Sequence, residues 1–166
     1  MSETFDRGWL PSKVAAGLDH LGDAVFGQAR YNADICCVTE VSGVIRILLV
    51  DDQPLVRQGV RMRLGLESDF EIIGEADDGA SAIEAVHLLG PDVVLMDVEM
   101  PRMDGLTATK AICAIAPQCR VIVVSLHSDA PTRTQALAAG AAAFVSKHDG
   151  EEALIETIRR AVRLLD

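Results

Sequence analysis

Aromatic side chains make up only 4% of the 166 residues, with a single Trp (Trp9) and a single Tyr (Tyr31). A core built from this chain must therefore be aliphatic. With 49% hydrophobic residues over this length, the chain fills one ordinary core and leaves a few dozen residues over. Basic residues are outnumbered, 15 against 25 acidic, and the net charge of -10 opposes tight binding of a phosphate backbone, so no direct nucleic-acid binding is expected of this chain. Cysteines are few and form no Cys-x-x-Cys pair. Cys36 and Cys37 are neighbours that cannot easily bridge each other, so Cys36, Cys37, Cys113 and Cys119 read as reduced thiols in a cytoplasmic protein. No stretch approaches the roughly 18 uninterrupted apolar residues of a membrane span, and Met1-Ser-Glu-Thr-Phe-Asp lacks the basic and apolar regions of a secretory signal. No membrane partner and no export are expected.

Two textures divide the chain. Residues 1–43 are punctuated by Gly8, Gly17, Gly22, Gly27 and Gly43. Ser12 can cap a helix with Val14, Leu18, Leu21 and Val25 on one face, but Gly17 and Gly22 each cost it roughly 1 kcal/mol relative to Ala. The expectation is an extension that is poorly ordered or partly helical. Residues 44–166 instead alternate short apolar runs with helical patterns.

The first run, Val44 to Val50, lacks polar alternation and reads as a strand buried on both faces, stopping on Asp51 and Asp52. Pro54 opens a helix with Val56, Val60 and Leu64 on one face, ending around Leu66. A second strand spans Phe70 to Ala76, and Asp78-Gly79 caps a helix whose buried face is Ile83, Val86 and Leu89, stopped by Gly90-Pro91. Asp92 to Asp97 is a third strand that again ends on a carboxylate. A loop bracketed by Met100-Pro101 and Asp104-Gly105 leads to a helix over about 105–115. Arg120 to Ser125, strongly β-branched, is the fourth strand; Pro131 opens an Ala-rich helix that stops at Gly140. Ala142 to Ser146 is a short fifth strand running into Lys147. The last helix carries Glu151 and Glu152 in its first turn, Arg159, Arg160 and Arg163 toward its end, and Leu154, Ile158, Ala161 and Leu165 on its core face.

Repeated strand-helix units with short connections define an α/β fold, a doubly wound parallel sheet with helices on both faces. Right-handed crossovers leave few topologies, and the flavodoxin-like order 2-1-3-4-5 fits five strands. Strands one and three are then neighbours at the switch point, where Asp51, Asp52 and Asp97 converge, with Ser125 and Lys147 brought by strands four and five. Carboxylates about 4 to 5 Å apart repel by roughly 3 to 4 kcal/mol per pair at an effective dielectric near 20. A hard divalent cation offsets this, and all-oxygen ligation suits Mg²⁺. A carboxylate nucleophile beside Mg²⁺ and a Lys is equipped to accept a phosphoryl group. No Gly-rich phosphate loop follows the first strand, which argues against a nucleotide or flavin site.

Residues 44–166 resemble the response-regulator receiver domain of two-component signalling. The resemblance rests on Leu48-Leu-Val-Asp-Asp, Leu95-Met-Asp-Val-Glu-Met-Pro, Met103-Asp-Gly, Val123-Val-Ser-Leu-His and Phe144-Val-Ser-Lys-His. With Gly74-Glu-Ala-Asp-Asp-Gly, some of these stretches are most similar to receivers that usually precede a helix-turn-helix domain. The resemblance implies Asp97 as phosphoacceptor. It implies Mg²⁺ held by Asp52, Asp97 and the backbone carbonyl of Glu99, with Asp51 acting through a water. It further implies Ser125 and Lys147 as phosphoryl-binding groups, Phe144 as an aromatic switch, and Glu99 and His127 as residues that tune dephosphorylation. The implied partners are a sensor histidine kinase and a downstream output protein, or an output domain missing from this chain. A homodimer through the fourth helix, fifth strand and fifth helix is also implied, as is a role in transcription regulation.

Two other functions compete with that switch. An Mg²⁺-dependent phosphatase or phosphotransferase with an aspartyl intermediate uses similar groups, but such enzymes place a second Asp two residues after a first-strand nucleophile. Here Asp51 and Asp52 are adjacent and Gln53 follows. An idle pseudo-receiver serving as a binding module is opposed by the presence of all five site residues. The chain is accordingly expected to be a regulatory phosphoacceptor and not an enzyme.

Overall fold

The computed structural model describes residues 43–163. The helix expected after Ser12, the thiols of Cys36 and Cys37 and the core position of Leu165 lie outside the described residues. Five strand-helix units follow in order: β1 (Ile45–Val50), α1 (Pro54–Leu64), β2 (Phe70–Ala76), α2 (Gly79–Leu89), β3 (Val93–Asp97), α3 (Gly105–Ile115), β4 (Arg120–Ser125), α4 (Ala130–Ala138), β5 (Ala143–Ser146) and α5 (Glu151–Arg163). All four strand pairings are parallel, in the order β2-β1-β3-β4-β5. Both the α/β class and the strand order match the sequence-based expectation.

The missing alternation in β1 has a direct structural cause. Ile47 and Leu49 point into one aliphatic layer with Leu95, Ile122, Leu154 and Ile158; Leu48 and Val50 point into the other with Val86, Val94, Met96 and Ile112. Both layers exclude water, so both parities of the strand must be apolar. At about 25 cal/mol per Å² of apolar surface, this double burial makes the central strands the main hydrophobic stabilisation of the sheet. A third, smaller layer gathers Val123, Ala136, Ala141 and Phe144 beneath α4.

Local chemistry sets the helix boundaries. Pro54 sits in the first turn of α1, where its absent N–H is not needed. Asp78 and Ser81 form a reciprocal capping box at the start of α2, and Gly90 closes that helix in the left-handed conformation at φ 56°. Asp104 and Asp129 cap α3 and α4 by accepting from the Thr107 and Thr132 backbone N–H groups.

Three expectations need correction. Val44 precedes β1 and is 50% exposed, since no neighbouring strand extends beyond Ile45 to cover it. The first helix ends at Leu64, and Leu66, past the Gly65 turn, is 77% exposed. Leu89, expected in the core, is 36% exposed: it lies in the last turn of α2 and leans over edge strand β2 at Gly74, while Ala82 takes the buried position.

Candidate functional site

The carboxyl ends of β1 and β3 stand side by side because β1 pairs directly with β3, register Val50 to Met96. The next residues on each path are therefore the acids. Asp51, Asp52 and Asp97 can each offer a carboxylate oxygen within 4.8 Å of the others. Lys147, one residue past β5, reaches back across the sheet edge. Its ammonium lies 2.7 Å from Asp51 Oδ2 and 2.8 Å from Asp97 Oδ1. Asp52, Gln53, Asp97, Glu99, Ser125, Leu126 and Lys147 line one cleft of about 220 Å³.

Each acid has a distinct environment. Both Asp51 oxygens are engaged inside the protein, Oδ2 by Lys147 and Oδ1 by the Gln53 backbone N–H at 2.8 Å. Asp52 differs: its Oδ1 is buried and has no hydrogen-bond partner among the described residues. A buried anionic oxygen without a donor costs free energy unless a cation meets it. Together with three converging carboxylates and the absence of any thiol or imidazole from the cleft lining, this donor set fits a hard, oxygen-preferring divalent ion. Burial pushes the Asp97 carboxyl above its ordinary pKa; Lys147 opposes that shift, while Asp51 and Asp52 add to it. For Lys147, burial is the largest single influence and acts downward. Its two carboxylate partners together outweigh it and hold the ammonium pKa above its ordinary value.

The β3–α3 connection comes very close to the carboxyl end of β3. The Gly105 N–H donates to the Val98 carbonyl at 3.0 Å, and a Cβ at Gly105 would fall 1.8 Å from the Asp97 carbonyl oxygen. Arg102, in the same connection, has φ 67°, a left-handed backbone that costs a non-Gly residue of order 1 kcal/mol. Its guanidinium pairs with Asp78, Nε to Oδ2 at 2.5 Å, and with Asp77 at 3.4 Å. The loop is thereby tied to the start of α2.

The sequence-derived candidates separate into two groups. Asp51, Asp52, Asp97, Ser125, Lys147 and Glu99 meet around the cleft. Ser125 is buried, and its Oγ accepts from the His127 N–H at 3.1 Å. His127 and Glu99 pair across the two loops, Nε2 to Oε1 at 3.2 Å, with both side chains largely exposed. Phe144 stands apart from the cleft, buried with Val123 and Ala136 and covered by the Arg133 guanidinium 5.0 Å from its ring centroid. Arg57, a residue of α1, donates to the Asp51 carbonyl. A cation one turn into the helix that follows the acid pair is the signal that could have drawn attention to it.

Comparison with known proteins is consistent with this geometry. Residues 47–159 match the response regulator receiver domain family. The transcriptional regulatory protein DegU of Brevibacillus brevis is 37% identical over 115 residues, covering 69% of this chain and 49% of that protein. The response regulator GacA of Pseudomonas aeruginosa is 38% identical over 117 residues, covering 70% and 55% respectively. Among solved structures, the response regulator domain of CheB from Thermotoga maritima superposes with a TM-score of 0.67 at 35% identity, covering 72% of this chain and 97% of that one. The signal receiver domain of NarL from Mycobacterium tuberculosis gives 0.62 at 36% identity, covering 74% and 94%.

The chain thus belongs to the response regulator receiver domain family, the regulatory domain of two-component signalling. It spans about half the length of the curated relatives it matches. Among the described residues, no helix is long and apolar enough to cross a membrane.

Proposed function

We propose that this protein is a phosphorylation switch in which Asp97 takes a phosphoryl group from a histidine of a partner kinase. The observation that carries the reading is the meeting of Asp97 with Asp51, Asp52 and the Lys147 ammonium at one open cleft. Mg²⁺ is the fitting ion; Asp52, Asp97 and the Glu99 backbone carbonyl would hold it, with Asp51 acting through a water. When bound, it supplies charge neutralisation at the transferring phosphoryl oxygens.

The remaining steps belong to the chain's own side chains. An Asp97 carboxylate oxygen attacks phosphorus, the bond from phosphorus to the donor nitrogen breaks, and the electron pair leaves with the imidazole. Lys147, already beside Asp97, stabilises charge on the phosphoryl oxygens, and Ser125 donates its hydroxyl to one of them after giving up its contact with the His127 N–H. Glu99 and His127 flank the cleft and govern how water reaches the acyl phosphate. Phosphorylation adds charge and acceptor oxygens at the sheet edge, and the β4–α4 loop carries the change to the face of α4, β5 and α5, where Phe144 lies beneath Arg133.

That face would bind a downstream partner or a second copy of the chain. The relatives named as transcriptional regulators support an output in transcription through a further domain or protein. A slow phosphorylation cycle, not turnover of a substrate, is the expected activity. Free Cys113 and Cys119 are consistent with the cytoplasm, and burial pushes the Cys119 thiol up to about 12, leaving it protonated and unreactive.

Incubation with acetyl phosphate and Mg²⁺ tests the reading by intact mass. One phosphoryl group is expected on the protein and none on Asp97→Asn; equal labelling of the two would exclude Asp97 as the acceptor.

A further inference from the structure

The Asp51–Asp52 turn is held by a side chain that bonds its backbone and not its carboxylates. Arg57, on α1 and largely buried, donates through Nη1 to the Asp51 backbone carbonyl and through Nε to Glu75 Oε2 at 2.9 Å. Glu75 belongs to β2 and also receives Arg61 at its other oxygen, 2.7 Å from Arg61 Nε. The neighbouring β2 residue Ala76 accepts from the Asp51 N–H at 3.2 Å. The peptide entering and the peptide leaving Asp51 are therefore both tied to the end of β2. Asp52 follows directly, and its buried Oδ1 has no donor of its own. Among the described residues nothing bonds that oxygen, so its aim follows the backbone that carries it.

We infer that Arg57 is a positioning residue for the metal-binding acid pair: clamped by Glu75, it fixes the Asp51 carbonyl and so aims the Asp52 carboxylate at the cation shared with Asp97. The inference rests on the reading of this cleft as an Mg²⁺ site. Arg57 is not among the groups that would hold the ion. A guanidinium suits the task because its fork reaches a carbonyl and a carboxylate at once, which an ammonium on one stem cannot reproduce.

Positioning and simple electrostatics predict opposite signs. Arg57 is a cation near a cation site, so removing its charge alone would tighten Mg²⁺ binding. Releasing the Asp51–Asp52 backbone loosens the ligand geometry, and loss of groups that orient ligating carboxylates weakens metal binding by about tenfold or more.

Titration calorimetry with Mg²⁺ on the full chain, alongside melting temperature with and without Mg²⁺, separates these outcomes. Arg57→Met is expected to weaken Mg²⁺ binding by about tenfold and to shrink the Mg²⁺-induced rise in melting temperature. Glu75→Gln, which keeps the volume and leaves Arg57 in place, is expected to weaken binding by a smaller factor. The double variant is expected to be no weaker than Arg57→Met, because both changes break one chain of contacts. Unchanged or tighter binding in a folded Arg57→Met protein overturns the inference. If that variant does not fold, unchanged binding in Glu75→Gln overturns it instead. Absence of Mg²⁺ binding by the unaltered protein overturns the metal-site reading as well, whereas normal binding there with unaffected variants overturns the positioning role alone.

Discussion

Gly105 and Asp97 are in such close approach that any side chain at 105 would occupy the space of the Asp97 carbonyl, 1.8 Å from its oxygen. Backbone cannot yield as a flexible side chain can. Gly105→Ala is therefore expected at or beyond the upper end of the overpacking range, a loss of about 3 kcal/mol. The urea midpoint should fall with an unchanged slope, and acetyl phosphate labelling should fall with it, since the end of β3 must shift. A midpoint equal to that of the unaltered protein would show that α3 can back away freely.

Asp52 offers a test that separates fold from ligand. Its Oδ1 makes no hydrogen bond, so Asp52→Asn is expected to leave stability without Mg²⁺ within about 0.5 kcal/mol or to raise it, as mutual repulsion among the acids falls. Mg²⁺ at ten times its dissociation constant should stabilise the unaltered protein by about 1.4 kcal/mol. The same addition should leave Asp52→Asn unchanged. Thermal melts of both proteins across a Mg²⁺ series provide the measurement.

Lys147 is the built-in countercharge of the cleft. Replacing it by Gln leaves Asp51 and Asp97 facing each other without a cation, and the two ion pairs at 2.7 and 2.8 Å are lost. A loss of about 2 kcal/mol without metal is expected, below the range for a fully buried pair because water reaches this cleft. The stabilisation gained on adding Mg²⁺ should then exceed that of the unaltered protein, since the ion relieves a larger repulsion. An equal gain in the two proteins would show that Lys147 does not offset the acids.

The α1–α5 side should set part of the acid limb of stability. Arg159 bonds Asp69 through two nitrogens at 2.8 Å and Glu67 at 2.7 Å, while its guanidinium covers the Phe70 ring. Arg159 holds the Asp69 carboxyl below its ordinary pKa, and the Glu67 carboxyl is held down first by Arg63 and then by Arg159. A depressed carboxyl stabilises the fold above its unfolded pKa, and that contribution disappears as pH falls through the folded value. Arg159→Met should accordingly melt lower at pH 7, with the difference closing as pH falls below the ordinary carboxylate range. A constant difference across that range would assign the effect to packing on Phe70 alone.

The sheet was legible in the sequence because each central strand is buried on two sides, and an unbroken run such as Ile47-Leu-Leu-Val has few other folded uses. Strand order followed from chirality, and the order placed the acids together. Leu89 departs from its expected burial for a local reason: helical periodicity locates a face but not the point where the neighbouring edge strand leaves it uncovered. The role of Arg57 is not legible in sequence because its partners are a backbone carbonyl and Glu75 of β2, contacts that carry no motif. The left-handed backbone of Arg102 was equally silent, since Arg gives no sign of it and its ion pair with Asp78 depends on two loops meeting in space.

The β2-β1-β3-β4-β5 order also imposes a timetable on the protein's competence during synthesis. Asp51 and Asp52 emerge from the ribosome first, Asp97 arrives only after a complete strand-helix unit that pairs on the outer side of β1, and Lys147 comes with the last strand. A partly made chain therefore holds Asp51, Asp52 and Asp97 without the Lys147 ammonium that pairs with two of them. The ion pairs of Lys147 with Asp51 and Asp97 therefore form only once β5 has joined the sheet.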